Sequence, residues 1–128
     1  MKNICVCQSG KLFQQCCDRF LNQQQLAKTP VQLMRSRYSA FALGGYGEYL
    51  LKTWAPSMTS GVSALELSMR TTDWVGLEIV DKSQKGDQGF VEFKARFKDD
   101  SGRENVHHEK SVFERMDGRW LYVCGEVS

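Results

Sequence analysis

The chain has 128 residues, 41% of them hydrophobic and 25% charged, so it is long enough to form one compact domain with its own core. Its formal net charge is only +2, and its lysines and arginines are scattered, which argues against nucleic acid or an anionic membrane as a partner. The segment Met1–Cys5 lacks the apolar region of a secretory signal, and no stretch has the ~20 apolar residues that span a bilayer, so the sequence predicts a cytoplasmic protein.

Four of the five cysteines form a cluster near the start of the chain, as Cys5-x-Cys7 and, eight residues later, Cys16-Cys17. Within each pair the spacing fits disulfide geometry poorly, and clustered cysteines in a reducing compartment are more often metal or redox groups. So short a segment has no core in which to bury thiols, whereas four thiolates suit a closed, structural zinc site. We predict one structural zinc ion; a redox dithiol, unrelated buried thiols and an iron–sulfur cluster are the alternatives.

Residues 19–70 have the pattern of helices. Thr29 followed by Pro30 is typical of an N-cap and first helical position, and apolar residues then recur at helical spacing until Gly44-Gly45. The predicted helices are, in chain order, one turn within Lys11–Gln15, a long helix from Pro30 to Gly44, a second across Tyr46–Thr53 and a short third around Ser63–Met69.

Residues 71–128 have the pattern of strands, with apolar Val91, Phe93 and Ala95 alternating with charged residues. The pair Asp117-Gly118 indicates a tight hairpin. The predicted strands are residues 73–83, 88–99, 103–116 and 119–125. Helices followed by hairpin-connected strands predict an α+β domain, in which the helices pack on the apolar face of one antiparallel sheet.

The cysteine segment resembles a known motif. Cys5-Val6-Cys7-Gln8-Ser9-Gly10-Lys11 followed by Cys16-Cys17 is similar to the SEC-C motif, which commonly reads C-P-C-G-S-G-K, then a spacer, then C-C or C-H. The resemblance implies a structural zinc bound by Cys5, Cys7, Cys16 and Cys17. Val6 and Gln8 replace the usual proline and glycine, and neither is a ligand.

The remainder resembles the uncharacterised YchJ-like proteins of bacteria. The matching segments are Leu33–Phe41, Thr53–Ser57, Trp74–Leu77 and Gly118–Val123. Those proteins are similar to the nuclear transport factor 2-like (cystatin-like) superfamily, which implies a cone of helices packed on a curved antiparallel sheet, often with a pocket at its open end. The expected division is a SEC-C zinc knuckle at residues 1–18 and the cone at residues 19–128, with Phe20–Thr29 as a hinge between them.

Candidate ligand-binding residues of the cone are Arg35, Arg37, Trp54, Trp74 and His108. One of the two arginines could bind an anion inside the cone or form a buried polar anchor, while the other pairs at the surface. The tryptophans could line a pocket or be plain core, as could Trp120. In His107-His108-Glu109 adjacent residues face opposite sides of a strand, so one histidine is expected to be exposed. Cys124 is expected to be a small buried residue.

Three functions are consistent with this sequence. The first is a protein-interaction module that docks a partner through the zinc motif. The second is a cone that binds a small molecule, for which an anion is one candidate, through an arginine and the tryptophans. The third is an enzyme that uses His107 or His108 as a general acid or base. We also expect that a chelator would unfold residues 1–18 and leave the α+β domain folded.

Overall fold

The structure is a computed structural model, and it describes residues 3–127. Met1, Lys2 and Ser128 lie outside the described residues, as do the parts of the sequence expectations that fall on them. The helices are α1 (Asp18–Leu21), α2 (Pro30–Leu43), α3 (Gly47–Lys52) and α4 (Ala64–Ser68), with single 3-10 turns at Phe13–Gln15 and Pro56–Met58. The strands are β1 (Asp73–Lys85), β2 (Gln88–Lys98), β3 (Glu104–Met116) and β4 (Arg119–Val127).

The long helix α2 begins and ends where its capping residues predict. The hydroxyl of Thr29 accepts a hydrogen bond from the backbone N–H of Gln32 at 3.1 Å, and Pro30 takes the first helical position. Gly44 follows the last helical residue with a φ of 75°, a conformation that favours glycine. The shorter helix α4 is capped in the same way by Ser63. The sequence did not predict α1, whose four residues are too few to show a helical period.

The four strands form one antiparallel sheet in the order β1-β2-β3-β4. Asp117 and Gly118 both have positive φ, 51° and 79°, as a tight hairpin between β3 and β4 requires. Register shifts interrupt the pairing twice between β1 and β2 and once between β3 and β4. Bulges of this kind increase the local twist of a sheet and bend its strands.

The main core lies between α2 and the sheet, because α2 contacts β1, β2 and β4. Its buried members include, from α2, Leu33, Met34 and Tyr38, and from the strands, Val91, Phe93, Ala95, Phe113 and Trp120. A smaller cluster joins Phe20 of α1 to Ala40, Tyr49 and Leu50. Helices therefore pack on one face of an antiparallel sheet, which confirms the predicted α+β class.

Two residues differ in burial from what the sequence led us to expect. Cys124 is exposed rather than buried, because the register shift between β3 and β4 pairs it with Val112, on the face opposite the buried Ser111. Phe20, placed at the start of the expected hinge, is only 3% exposed and packs in the second cluster. No helix within residues 3–127 is long and apolar enough to cross a membrane.

Candidate metal centre and cavity

The thiols of Cys5, Cys7, Cys16 and Cys17 converge on one point. Their Sγ atoms all lie within 4.8 Å of one another, and all four side chains are buried. The Ser9-Gly10 turn reverses the chain: the backbone N–H of Cys5 bonds to the carbonyl of Lys11 at 2.9 Å. The 3-10 turn Phe13–Gln15 then directs the second pair of cysteines back onto the first.

The cluster has the dimensions of a tetrahedral metal site. Zinc–sulfur bonds of about 2.3 Å place the sulfurs of a tetrahedron about 3.8 Å apart. The Sγ atoms of Cys7 and Cys16 are 3.6 Å apart, and those of Cys16 and Cys17 are 4.0 Å apart. These residues could therefore hold one metal ion, with no ligand position left open.

The electrostatics of the cluster also fit a cation. A hydrogen bond from Cys17 lowers the pKa of the Cys5 thiol, and the same interaction raises the pKa of Cys17. Burial raises the pKa of Cys17 further. Without a cation, four sulfurs at this spacing share protons; all four become thiolates only when a metal ion offsets their charge.

Helix α2 supplies the polar groups around the thiols. The hydroxyl of Ser39 donates to Sγ of Cys17 at 3.1 Å, and a guanidinium nitrogen of Arg35 donates to the carbonyl of Cys7 at 2.7 Å. Donors of this kind orient metal ligands and stabilise their negative charge. Arg35 therefore serves the cysteine cluster rather than the interior of the cone.

Gln8 ties the cysteine segment to the sheet. Its φ is 61°, in the left-handed region where glycine, the usual residue of the motif, meets no penalty. Its side-chain oxygen accepts hydrogen bonds from the backbone N–H of Leu77 at 3.1 Å and from Arg96 at 3.3 Å. The four cysteines belong to the same buried cluster as α2 and the strands. The division at residue 18 stays a prediction, but the two parts share a core.

A cavity of about 360 Å³ opens between α2 and the face of the sheet on which the helices pack. Its wall is mainly aromatic, and its polar groups are one arginine, one histidine, one glutamate and the hydroxyls of two tyrosines. The lining residues are Met34, Arg37, Tyr38, Phe41, Trp54, Leu67, Trp74, Phe93, His107, Glu109 and Tyr122. Volume and composition are typical of small-molecule sites.

Arg37 is the buried cation of this cavity, with 4% of its surface exposed. One guanidinium nitrogen, Nη1, donates to the carbonyl of Leu50 and to the hydroxyl of Thr53, both at 2.7 Å. Its guanidinium carbon lies 4.9 Å from the ring centroid of Tyr122 and 5.8 Å from that of Trp54. Burial lowers the pKa of Arg37 to about 10, which reflects the cost of holding this charge away from water.

Glu109 is the anion of this cavity; its side chain is partly buried, and three donors surround it. One carboxylate oxygen contacts Nε2 of His107 at 2.8 Å, and the other accepts from Ser111 at 2.6 Å and from Tyr122 at 3.0 Å. Burial alone would raise the pKa of Glu109, but these hydrogen bonds outweigh it and lower the pKa. A Cβ atom on Gly125 would collide with this carboxylate, so the glycine leaves room for it.

Three of the five sequence-predicted ligand residues, Arg37, Trp54 and Trp74, line the cavity. Burial leaves the indole Nε1 of Trp54 without a hydrogen-bond partner among the described residues. Trp74 makes edge contacts with Tyr38, at a centroid distance of 6.2 Å, and with His107.

His108, which the sequence proposed as a ligand-binding residue, lies away from the cavity. His107 lines the cavity instead. The register pairs His107 with Ala95 on the core side and His108 with Lys94 on the opposite side. There Nε2 of His108 contacts Glu92 at 2.6 Å.

The sequence analysis missed Glu109, Ser111 and Tyr122 as a network. A signal was present, because residues 107, 109, 111 and 113 of one strand share a face, and Phe113 is an obvious core residue. Extending the alternation backward from Phe113 would have placed Glu109 and His107 inside. The partner Tyr122 could have been found from the Asp117-Gly118 hairpin, which pairs Tyr122 with Phe113 before the register shift between β3 and β4 begins.

Comparisons with known proteins agree with this architecture. A family profile described as the YchJ middle NTF2-like domain matches residues 29–125. The UPF0225 protein of Sodalis glossinidius is 42% identical over 98% of this chain and 84% of its own length. That of Chromobacterium violaceum is 43% identical over 97% of this chain and 93% of its own length.

A solved structure extends the likeness to the cysteine segment. The solution structure of a SEC-C motif containing protein from Rhodopseudomonas palustris superimposes with a TM-score of 0.88 and 38% identity. It covers 97% of this chain and 98% of its own. With a family profile over most of its length and relatives above 40% identity, the chain belongs to the YchJ-like (UPF0225) family, with a SEC-C motif followed by an NTF2-like domain.

Proposed function

We propose that this protein binds a small molecule in the cavity beneath α2, and that one structural zinc ion secures the helix that lines it. The cavity carries the proposal, because its 360 Å³ volume, aromatic wall and few convergent polar groups are the ordinary features of a ligand site. Other clefts of similar volume among the described residues have more polar walls, so the aromatic wall sets this cavity apart.

The indole groups offer a direct test of binding. Trp54 and Trp74 line the cavity, whereas the indole Nε1 of Trp120 donates to the carbonyl of Lys28 outside it. A metabolite library screened by thermal shift should yield compounds that stabilise the protein. In ¹⁵N-correlated NMR spectra, a cavity ligand should shift the indole signals of Trp54 and Trp74 and leave that of Trp120 in place. The proposal would be contradicted if the stabilising compounds shifted all three indole signals equally, or if no compound stabilised the protein.

We assign zinc to the cysteine cluster on the chemistry of its donors. Four buried sulfurs without oxygen or nitrogen ligands favour zinc among the abundant divalent ions, and a closed tetrahedron suits a structural role. When bound, the ion supplies no open coordination position and therefore no site for chemistry. It would hold Cys7 and Cys17 against the donors of α2.

Elemental analysis of protein purified without chelator tests the metal. We expect about one zinc per chain, lost in the double variant Cys16→Ser/Cys17→Ser. The matched control is Cys124→Ser, which removes the exposed fifth cysteine and should keep the metal. Wild-type protein with iron, or with disulfides in place of metal, would contradict the zinc assignment.

A protein partner that docks on the zinc segment is a second hypothesis. Ile4 and Val6 flank the ligands and are 49% and 38% exposed, which leaves apolar surface beside the site. Pull-downs from bacterial lysate with wild type and Val6→Asp test it, because the charge should abolish an apolar contact without removing a ligand. Identical partner lists would contradict it.

Catalysis is the third hypothesis, and the positions of the histidines leave only one of them as a general acid or base in the cavity. A general acid or base in the cavity would have to be His107, which contacts Glu109, because His108 contacts Glu92 on the opposite face. No further group of the cavity specifies a reaction.

A further inference from the structure

The polar groups of the cavity specify the charge of its ligand. We propose that the cavity takes a planar, aromatic-sized carboxylate, with the carboxylate group bound to the guanidinium of Arg37. This inference rests on the proposed small-molecule function and names the class of ligand.

Arg37 holds a positive charge that no protein anion neutralises directly. Its hydrogen-bond acceptors are a backbone carbonyl and a hydroxyl, and both bind the same nitrogen, Nη1. Among residues 3–127, no carboxylate oxygen lies within 4.0 Å of its nitrogens, and neither Nε nor Nη2 has a hydrogen-bond partner. Buried guanidinium groups are normally matched by a carboxylate or phosphate that accepts from two nitrogens at once. The two free nitrogens at the cavity wall are suited to such a ligand.

Glu109 is not the carboxylate that binds the guanidinium of Arg37, because its oxygens already accept hydrogen bonds from other residues. Its two oxygens accept from His107, Ser111 and Tyr122, and its carboxylate approaches Gly125 closely. The network fixes Glu109 on β3, and its charge acts on Arg37 only through space, without a hydrogen bond between the two side chains. A ligand carboxylate beside Arg37 therefore adds a partner where one is missing, whereas a ligand cation would find the cavity anion already occupied.

Trp54 supplies a second observation on the same side of the cavity. Its indole Nε1 is buried and has no hydrogen-bond partner among the described residues, and its ring lies next to the guanidinium of Arg37. Buried donors without partners are rare in folded proteins. The Trp54 ring thus adds flat aromatic surface beside Arg37 at one end of the cavity, while Nε1 itself has almost no accessible surface and is not presented to a ligand.

The remaining wall sets the shape and size of the ligand. Tyr38, Trp74 and Phe93 present aromatic surface, which favours flat, apolar groups. The cavity volume of about 360 Å³ lies within the range of small-molecule sites and leaves room for a bicyclic aromatic acid such as naphthoate.

Three probes of equal shape test the class. Naphthoate, naphthamide and naphthylmethylamine share one ring system and carry a negative, no and a positive charge. Titration calorimetry on the zinc-loaded full chain should show naphthoate binding at least about tenfold more tightly than naphthamide, as charge-assisted hydrogen bonds require. The amine should bind more weakly than either. Equal affinities of acid and amide would overturn the carboxylate class and leave small-molecule binding in place, whereas no binding of any of the three would overturn both.

Variants test whether Arg37 causes the tighter binding of the acid than of the amide. In Arg37→Met the ratio of the two affinities, acid over amide, should fall to about one, and this ratio within one variant does not depend on stability. Arg115 is the matched control, because its guanidinium lies 5.1 Å from the ring centroid of Trp120, outside the cavity. Arg115→Met should keep the preference. Should Arg37→Met not fold, Arg37→Lys keeps the charge but not the paired donors and should reduce the ratio several-fold. An unchanged ratio in the Arg37 variants would overturn the assignment.

Discussion

Removal of the metal is predicted to destabilise the whole domain, and the reason lies in how the cysteine segment packs. From the sequence, a chelator was expected to unfold residues 1–18 alone. In the structure the four thiols belong to the main buried cluster, and two side chains of α2 donate to them or to their backbone. The structure therefore predicts that the segment and the α+β domain unfold as one unit.

The contacts between the two parts give the magnitude. Arg35 donates to the carbonyl of Cys7 at 2.7 Å, Ser39 donates to Sγ of Cys17 at 3.1 Å, and Gln8 accepts from the backbone of β1 at 3.1 Å. Three hydrogen bonds at about 1 kcal/mol each total about 3 kcal/mol. For a domain of this size, each kcal/mol shifts the melting temperature by roughly 4 °C, so the loss corresponds to roughly 12 °C.

Thermal unfolding followed by far-ultraviolet circular dichroism measures this shift in zinc-loaded and chelated protein. Re-addition of zinc should restore the melting temperature, and Cys124→Ser should respond like wild type because it lies outside the cluster. Amide exchange should show that the sheet loses protection together with the cysteine segment. If chelated protein kept its melting temperature within a degree or two and lost protection only in residues 3–18, the two parts would be independent and this reasoning would be refuted.

Three further predictions follow from single contacts. In denaturant titrations, Trp54→Phe should lower the free energy of unfolding by roughly 1–3 kcal/mol less than Trp120→Phe does, because only Trp120 loses an indole hydrogen bond. Equal losses in the two variants would contradict this. Ser39→Ala should weaken zinc affinity by roughly tenfold or more in chelator competition, because Cys17 loses its donor; unchanged affinity would show that the donor is dispensable. The pKa of Glu109 is lowered in the folded state, so its stabilising contribution is complete above its ordinary value of 4.5 and is lost as pH falls through the folded pKa. Stability should thus fall more steeply with acid in wild type than in Glu109→Gln, and parallel pH profiles would rule this out.

Local signals in the sequence account for most of the secondary structure. Thr29 and Pro30 mark the start of α2, and the alternation of Val91, Phe93 and Ala95 marks β2, because capping and side-chain alternation depend only on near neighbours. The helix α1 escaped prediction, since its one buried apolar residue, Phe20, belongs to a cluster whose other members come from α2 and α3.

Alternation along β3 decides which histidine enters the cavity. Alternation shows that His107 and His108 face opposite sides, and counting back from the buried Phe113 places His107 on the core side. The pairing of His107 with Ala95 in the structure agrees with that count. The structure also places the two arginines of α2 in different sites: Arg35 contacts the cysteine segment, and Arg37 lines the cavity.

The sequence by itself determined the α+β class, the strand and helix order and the four convergent cysteines, because each depends on spacing along a short stretch of chain. Tertiary structure alone decided that the cysteine cluster and the cavity share α2, and that Glu109 is satisfied while Arg37 is not. Those properties depend on residues far apart in the chain, whose distances are set only when helix and sheet pack together.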